Sequence, residues 1–315
     1  MTHTPLGPGH EFDHIRGLLD LWGPLADGIG DDAAILTPPA GEQLVVSTDS
    51  TVEGVHFRRE WMTPHEIGAR GATAALSDIA AMGASAHGVL VSLVVPDPWR
   101  KLVPDFARGI GVSVGAAGAR IVGGNIAWGQ TFSATFTVVG FAKRPLRRSG
   151  ASPGDVLYVT GTLGGPKAAL SAWERGDQPD AQALQRFRHP VARLAEGQWL
   201  AARGACAMID ISDGLAADAR HLGAASGVLP ALTASLVPRF SFVTPEDALT
   251  SGEEYELLVS LPPALAEEIA TSFEHRFALP LTRVGHVEAV PDETGQESNS
   301  PPRVELAGGH DHFSR

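Results

Sequence analysis

Residues 47–57, Ser-Thr-Asp-Ser-Thr-Val-Glu-Gly-Val-His-Phe, set the reading of the whole chain. Val45 and Val46 lead into them as the end of a buried strand, and Asp49 then stands among Ser47, Thr48, Ser50 and Thr51. Oxygen-bearing side chains crowded at a strand exit read in one way as a turn, because Ser, Thr and Asp hydrogen-bond their own backbone. The same chemistry recurs: Asp31 and Asp32 follow Gly28-Ile29-Gly30, Asp78 lies downstream, and Asp210 and Asp213 flank Ser212. Recurrence supports a second reading, hard-cation ligands, since Mg²⁺ takes carboxylate, hydroxyl and water oxygens and usually arrives with a phosphate substrate. Two carboxylates about 4 Å apart repel by roughly 4 kcal/mol at an effective dielectric of 20. If these segments converge, something positive must sit among them.

With 315 residues, 43% of them hydrophobic, the chain is long enough for a large core and reads as two domains. A formal charge of −12 argues against nucleic acid or an anionic membrane as the main partner, because both require a basic footprint. A phosphorylated substrate remains compatible, since bound metal inverts the local sign. Cys206 is the only cysteine, which excludes an intramolecular disulfide and a thiolate metal cluster. The first residues lack a signal-peptide pattern, and no run of about 18 apolar residues predicts a membrane span. The expected location is therefore cytoplasmic.

Periodicity predicts a helix over about 10–21 and a strand over 43–49. Residues 63–83 carry the clearest helix signal: Thr63 and Glu66 at capping-box spacing, Pro64 at the first helical position, Gly83 at the stop. Asp78 on this helix has small apolar neighbours, and an unpaired carboxylate there is costly to desolvate. A strand over 87–95, a helix over 98–115 and a run at 120–122 entering Gly123-Gly124-Asn125 follow. Phe132, Ala134, Phe136 and Val138 then alternate with Thr131, Ser133, Thr135 and Thr137, the period of a sheet with one wetter face. Lys143–Asp155 changes character and predicts a boundary between domains at 1–145 and 146–315. Beyond it, strands are expected at 156–160, 207–211, 254–261 and 281–287, with helices from Pro166 and over 190–203, 213–225 and 263–273. Gly161–Gly165 is a Gly-rich strand-to-helix turn without Walker spacing, and residues 291–302 read as a polar loop. Taken singly, Asp213 also reads as a helix N-cap, Asp31 as a turn residue and Asp49 as a strand-end Asx turn.

The motifs occur in a recognisable order: Gly-Ile-Gly-Asp-Asp (28–32), Ser-Thr-Asp then Val-Glu-Gly-Val-His-Phe (47–57), Leu-Ser-Asp-Ile-Ala-Ala-Met-Gly-Ala (76–84), Gly-Gly-Asn (123–125), Arg-Ser-Gly-Ala-Ser-Pro-Gly-Asp (148–155), Ile-Asp-Ile-Ser-Asp-Gly-Leu (209–215), Ser-Gly-Glu-Glu-Tyr-Glu-Leu (251–257) and Asp-His-Phe (311–313). In this order, over nearly the whole chain, the sequence resembles the thiamine-monophosphate kinase family, in the superfamily of aminoimidazole ribonucleotide synthetase and selenophosphate synthetase. The resemblance implies an N-terminal α/β domain whose sheet closes a barrel across a homodimer, an α+β C-terminal domain, and ATP with several Mg²⁺ ions bound between them. Carried over by position, Asp32, Ser47, Thr48, Asp49, Asp78, Asn125, Asp210 and Asp213 would hold metal, with Asp210 and Asp213 at the catalytic centre. Gly124, Asn125, Arg148 and Ser212 would meet the nucleotide, and His56, Glu253 and His310 the thiamine monophosphate. The implied reaction moves the γ-phosphoryl group of ATP to the substrate phosphate. A phosphate monoester is already a competent nucleophile, so such a reaction needs alignment and charge neutralisation more than a dedicated base.

Three positions depart from the family pattern. Asn125 replaces an Asp that ligates metal, Ala117 stands where an aromatic is expected, and His310 takes the place of an aromatic that stacks on thiamine. Two readings follow: an active kinase whose neighbouring ligands compensate for Asn125, or a weakly active or non-catalytic nucleotide-binding relative with an altered substrate. A selenophosphate synthetase would want a reactive Cys near the N-terminus, and the one thiol is at 206.

Overall fold

A computed structural model describes residues 10–29 and 33–291. Asp31, Asp32, His310, the Asp-His-Phe motif at 311–313 and all but the first residue of the polar loop lie outside the described residues. The chain divides into two compact units, one running through Ile79 and from Ala84 to Arg144, the other taking Ala80–Gly83 and continuing from Pro145.

The first unit is built on β1 (Gln43–Val52), β2 (Ser85–Val95), β3 (Arg120–Trp128) and β4 (Ser133–Ala142), in the order β1-β4-β2-β3. β4 is antiparallel to both neighbours, whereas β2 and β3 are parallel and joined through α3 (Val103–Ala116). The alternation read at 132–138 holds: Ala134, Phe136 and Val138 are fully buried while Ser133, Thr135 and Thr137 are partly exposed. The described residues open with α1 (His10–Trp22), and the buried face of the sheet packs on α2 (Pro64–Ala81) and α3. A Cβ on Gly68 would lie 2.0 Å from Phe106 O, and one on Gly109 would lie 1.9 Å from His65 O, so this glycine pair lets the two helices touch backbone to backbone. The capping box forms as read, with Thr63 N–H donating to Glu66 Oε2 (2.7 Å) and Glu66 N–H to Thr63 Oγ1 (3.2 Å). Two differences appear. The helix expected from Pro98 is a 3-10 turn at Asp97–Trp99 before α3 starts at Val103, because Trp99 turns fully into the core and stacks on Phe132 at 3.8 Å. Gly123-Gly124-Asn125, read as the end of a short run, lies inside β3.

The second unit carries a five-stranded antiparallel sheet, β6-β8-β5-β9-β7. Its strands are β5 (Val156–Thr160), β6 (Ala207–Asp210), β7 (Val228–Leu232), β8 (Leu257–Leu261) and β9 (Leu281–Ala289). Alternate residues of central β5 enter two cores: Leu157 and Val159 join Ile209, Leu222 and Val284, while Val156 and Tyr158 join Met208, Val259 and Phe273. Each face therefore needs a helical cover. α7 (Leu215–Ser226) lines the first core, and α6 (Leu194–Ala202) with α9 (Pro263–Phe277) lines the second. α4 (Gly165–Glu174) was expected, whereas α5 (Ala181–Arg188), α8 (Pro245–Thr250) and β7 were not.

Candidate active site

Side chains alternate along β1, so Ser47 and Asp49 share one face while Thr48 and Ser50 share the other. On the helix-facing side Ser47 Oγ donates to Asp78 Oδ2 at 2.5 Å, and Asp49 Oδ1 accepts the Ser50 N–H at 2.7 Å. On the other face Thr48 and Ser50 pair with Thr137 (3.2 Å) and Thr135 (2.8 Å), hydroxyl to hydroxyl. The register places Ser50, Thr135, Ser92 and Asn125 in one row across that face, with Asn125 exposed on the far edge strand. Two strands separate β1 from β3, so Thr48 and Asn125 are roughly 14 Å or more apart at ordinary strand spacing. Ser47 and Asp78 are thus brought together within the unit, Asp49 lies two residues along the same face of β1, and Asn125 is not gathered with them.

His56 is held by the turn that follows β1. Val52 N–H donates to His56 Nδ1 (3.1 Å) and Val52 O accepts the His56 N–H (3.0 Å), which fixes the imidazole with its proton on Nε2. The turn is pinned further by Glu53, whose carboxylate accepts from Arg59 Nε (2.7 Å) and Trp99 Nε1 (2.8 Å), and by buried Phe57, edge-on to Trp99 and Phe132. Neither Glu53 nor Trp99 was singled out in the sequence.

In the second unit buried Asp210 ends β6, and Ser212-Asp213-Gly214 link it to α7. Asp213 is not the N-cap. Gly214 occupies that position at φ +118°, and the loop leading into the helix is held from within it: Asp218 Oδ2 accepts the backbone N–H groups of Ser212, Asp213 and Gly214, each at 3.1 Å. Burial, then the Asp210 and Asp213 carboxylates, push Asp218 up to about 8, against the pull of its backbone donors. Arg148 is exposed, and its backbone is tied down by Ser226 Oγ, which donates to Arg148 O (2.9 Å) and accepts from Gly150 and Ala151.

Glu253 sits on an arch with two non-glycine residues in the left-handed region, Glu253 at φ +57° and Tyr255 at φ +54°. The arch is bonded to the loop before α7: Glu253 N–H donates to Ser212 O (2.7 Å), and the N–H groups of Glu254 and Tyr255 to Ile211 O (3.1 and 2.9 Å). Beneath it lie the carboxylates of Glu254 and Glu256, both buried. Glu256 is gripped by Arg193 (2.6 and 2.8 Å) and Arg186 (2.9 Å), while Arg186 also donates to Glu254 O (3.0 Å). Burial pushes Glu254 up to about 7, with Arg186, Ser251 and the Gly164 N–H pulling down and Glu256 adding to the rise. The Gly161–Gly165 turn is bonded internally: Gly164 N–H donates to Glu254 Oε1 (2.5 Å), Gly161 N–H to Pro280 O (2.9 Å) and Leu163 N–H to Pro238 O (2.9 Å).

Among the described residues no group of three His, Cys, Asp or Glu side chains could hold an ion by itself. What each unit offers is a smaller oxygen set, Ser47, Asp49 and Asp78 in one and Asp210 with Asp213 in the other. These last two carboxylates lie close enough to Asp218 to push it upward. Such sets suit Mg²⁺, which keeps water and takes substrate phosphate oxygens to complete its octahedron.

The sequence profile of the AIR synthase related protein N-terminal domain matches residues 30–142, and that of the AIR synthase related protein C-terminal domain matches residues 152–297. Thiamine-monophosphate kinase of Salmonella typhimurium (strain LT2) is 31% identical over 319 residues, 96% of each chain. Its counterpart in Escherichia coli (strain K12) is 33% identical over 303 residues, 91% of this chain and 92% of that one. Among solved structures, thiamine-monophosphate kinase from Stenotrophomonas maltophilia K279a aligns with a TM-score of 0.79 at 30% identity, covering 90% of this chain and 95% of that one. The structure described as AaThiL complexed with AMPPCP and TMP aligns with a TM-score of 0.74 at 29% identity over 96% of both chains. The hydrogenase maturation protein HypE, at 18% identity and a TM-score of 0.73, shares the fold.

Proposed function

The chain belongs to the thiamine-monophosphate kinase family, and on that premise we propose which of its residues carry the reaction. It transfers the γ-phosphoryl group of ATP to the phosphate of thiamine monophosphate, giving thiamine diphosphate and ADP. One observation carries this conclusion: the likeness to such kinases runs through 96% of both chains rather than through one shared domain.

Ser47, Thr48, Asp49, Asp78, Asp210 and Asp213, with Asp32 and Asn125 from the sequence pattern, are proposed to hold several Mg²⁺ ions, which when bound neutralise phosphate charge and orient the transferring group. Ser47 Oγ beside Asp78 Oδ2 supports that reading, because the pair presents a hydroxyl and a carboxylate oxygen side by side. Asp213 and Asp210 would hold charge at the transferring phosphoryl group, Ser212 and Arg148 would donate to nucleotide phosphates, and Gly124 with Asn125 would line the nucleotide. On the acceptor side His56 would donate its Nε2–H to the thiamine phosphate, and Glu253 and His310 would meet the thiamine. No residue need take a proton from the acceptor, since a phosphate monoester oxygen attacks as it stands.

We further propose that residues 1–145 bind ATP and metal and mediate a homodimer, with 146–315 completing the enzyme. Leu44 (52% exposed) and Val46 (55% exposed) lie beside Thr48 and Ser50 on the uncovered face of β1, the apolar-and-hydroxyl surface that a barrel closed by a second copy would bury. ADP release dependent on thiamine monophosphate, with thiamine diphosphate identified as product, tests the assignment. Nucleotide binding without turnover would favour the non-catalytic relative instead.

A further inference from the structure

The loop between β6 and α7 has the outline of a phosphate-binding turn: a strand end, a glycine at positive φ and a helix N-terminus whose free N–H groups would face an anion. Its backbone is already committed. Asp218 Oδ2 takes the N–H groups of residues 212, 213 and 214, Ile211 N–H goes to Glu256 O (2.8 Å), and the carbonyls of Ile211 and Ser212 accept from the 253–255 arch. Asp218 is itself 2% exposed, one turn inside α7, and Gly214 leaves no room for change, since a Cβ there would stand 3.1 Å from Thr250 C.

We infer that Asp218 is the positioning residue of this loop: its carboxyl oxygen occupies the place an external phosphate oxygen would otherwise take, and thereby leaves Asp210, Ser212 and Asp213 to act through their side chains alone. The inference rests on the reading of Asp210 and Asp213 as metal ligands and adds a consequence to it. With their N–H groups satisfied internally, residues 212–214 offer an incoming phosphate no backbone donors, only a cation held by their side chains or the Ser212 hydroxyl. An acceptor that fixes three consecutive peptide planes also fixes the directions in which residues 212 and 213 project, and partners that orient ligands in this way typically change metal affinity 10–100-fold when removed.

Two measurements on the full chain test this. Amide hydrogen exchange across residues 212–214 is slow in the unaltered protein and in Asp218→Asn, whose side-chain carbonyl still accepts, and fast in Asp218→Ala. Thermal melting with Mg²⁺ titrated alone gives an apparent affinity that falls at least about tenfold in Asp218→Ala and is largely kept in Asp218→Asn. A merely structural residue would lower the melting temperature without splitting the two variants in this way. Folded Asp218→Ala that keeps both slow exchange and Mg²⁺ affinity overturns the inference. If that variant does not fold, exchange at 212–214 in the unaltered protein as fast as in an exposed loop overturns it equally. Asp213→Asn separates the underlying reading: unchanged Mg²⁺ affinity there removes Asp213 as a ligand, while the exchange result still decides the role of Asp218.

Discussion

Ser47 and Asp78, 31 positions apart, meet at 2.5 Å, the hydroxyl at the middle of β1 donating to a carboxylate on the last turns of α2. The contact fixes two oxygens of the proposed metal site before any ion arrives, and the two residues contribute unequally. Asp78→Asn removes the charge and is expected to lower kcat/KM by about 100-fold, without recovery at high Mg²⁺. Ser47→Ala removes a neutral ligand and a positioning bond worth about 1.5 kcal/mol, and its roughly tenfold loss should be largely restored by excess Mg²⁺. Steady-state rates over a Mg²⁺ series decide the matter, and equal, unrecoverable losses would mean that Ser47 acts in some other way.

His56 offers a second contrast. Because Val52 N–H donates to Nδ1, the imidazole carries its proton on Nε2, the nitrogen proposed to meet the substrate phosphate. His56→Ala is expected to raise KM for thiamine monophosphate about tenfold while leaving KM for ATP near its original value. His56→Gln, whose amide nitrogen lies near the position of Nε2, should recover part of that loss. Loosening the turn with Glu53→Gln, which weakens the acceptor for Arg59 and Trp99, should shift the same constant in the same direction by less. A KM change confined to ATP would move His56 to the nucleotide side.

These contrasts follow the division between what was legible in the sequence and what was not. The capping box at Thr63 and Glu66, the alternation through Phe136 and the motif order were readable because each is a local pattern with one physical cause. Asp218 was passed over because an acid in the interior of Leu-Ala-Ala-Asp-Ala-Arg looks like an ordinary helix residue; its role depends on a loop folding back over it. The apolar neighbours around it were the available signal, the same one that drew attention to Asp78. Arg186 and Arg193 were likewise invisible as partners of Glu256, since they lie 70 and 63 residues away and nothing local marks them as buried. The separation of Thr48 from Asn125 came only with strand order. Short α5 and α8 were missed because fewer than three turns give too little periodicity to read, although Asp180 and Thr244 do cap them.

Asn125 bears on how much activity the chain retains. A restored carboxylate adds one charged ligand, so Asn125→Asp is expected to tighten Mg²⁺ by about 1 kcal/mol, roughly fivefold. Calorimetric titration of Mg²⁺ in the presence of ATP reads this directly. Should both affinity and rate fall, the amide is adapted to this site, and its carbonyl oxygen or NH₂ group makes a contact that a carboxylate cannot.

Glu254 makes stability depend on pH in the direction opposite to an ordinary salt-bridged acid. Two effects compete: Arg186 lies 3.5 Å away and favours the charge, while complete burial and the neighbouring Glu256 oppose it. Arg186 is closer to Glu256, at 2.9 Å, so its charge is largely spent there and burial wins, raising Glu254 from 4.5 to about 7. Below pH 4.5 the group is protonated whether the chain is folded or not, and its contribution to stability is whole. Between that value and about 7 the unfolded chain ionises first, so stability falls as pH rises, by about 3 kcal/mol in all, and the loss levels off above 7. Glu254→Gln cannot titrate. The difference in urea-unfolding free energy between the unaltered protein and this variant, measured in chelator from pH 5 to 8, should therefore decline with pH. A difference that is flat or rises would show that Arg186 keeps Glu254 ionised throughout, and that the Glu253–Tyr255 arch rests on a full ion-pair network rather than on a neutral acid.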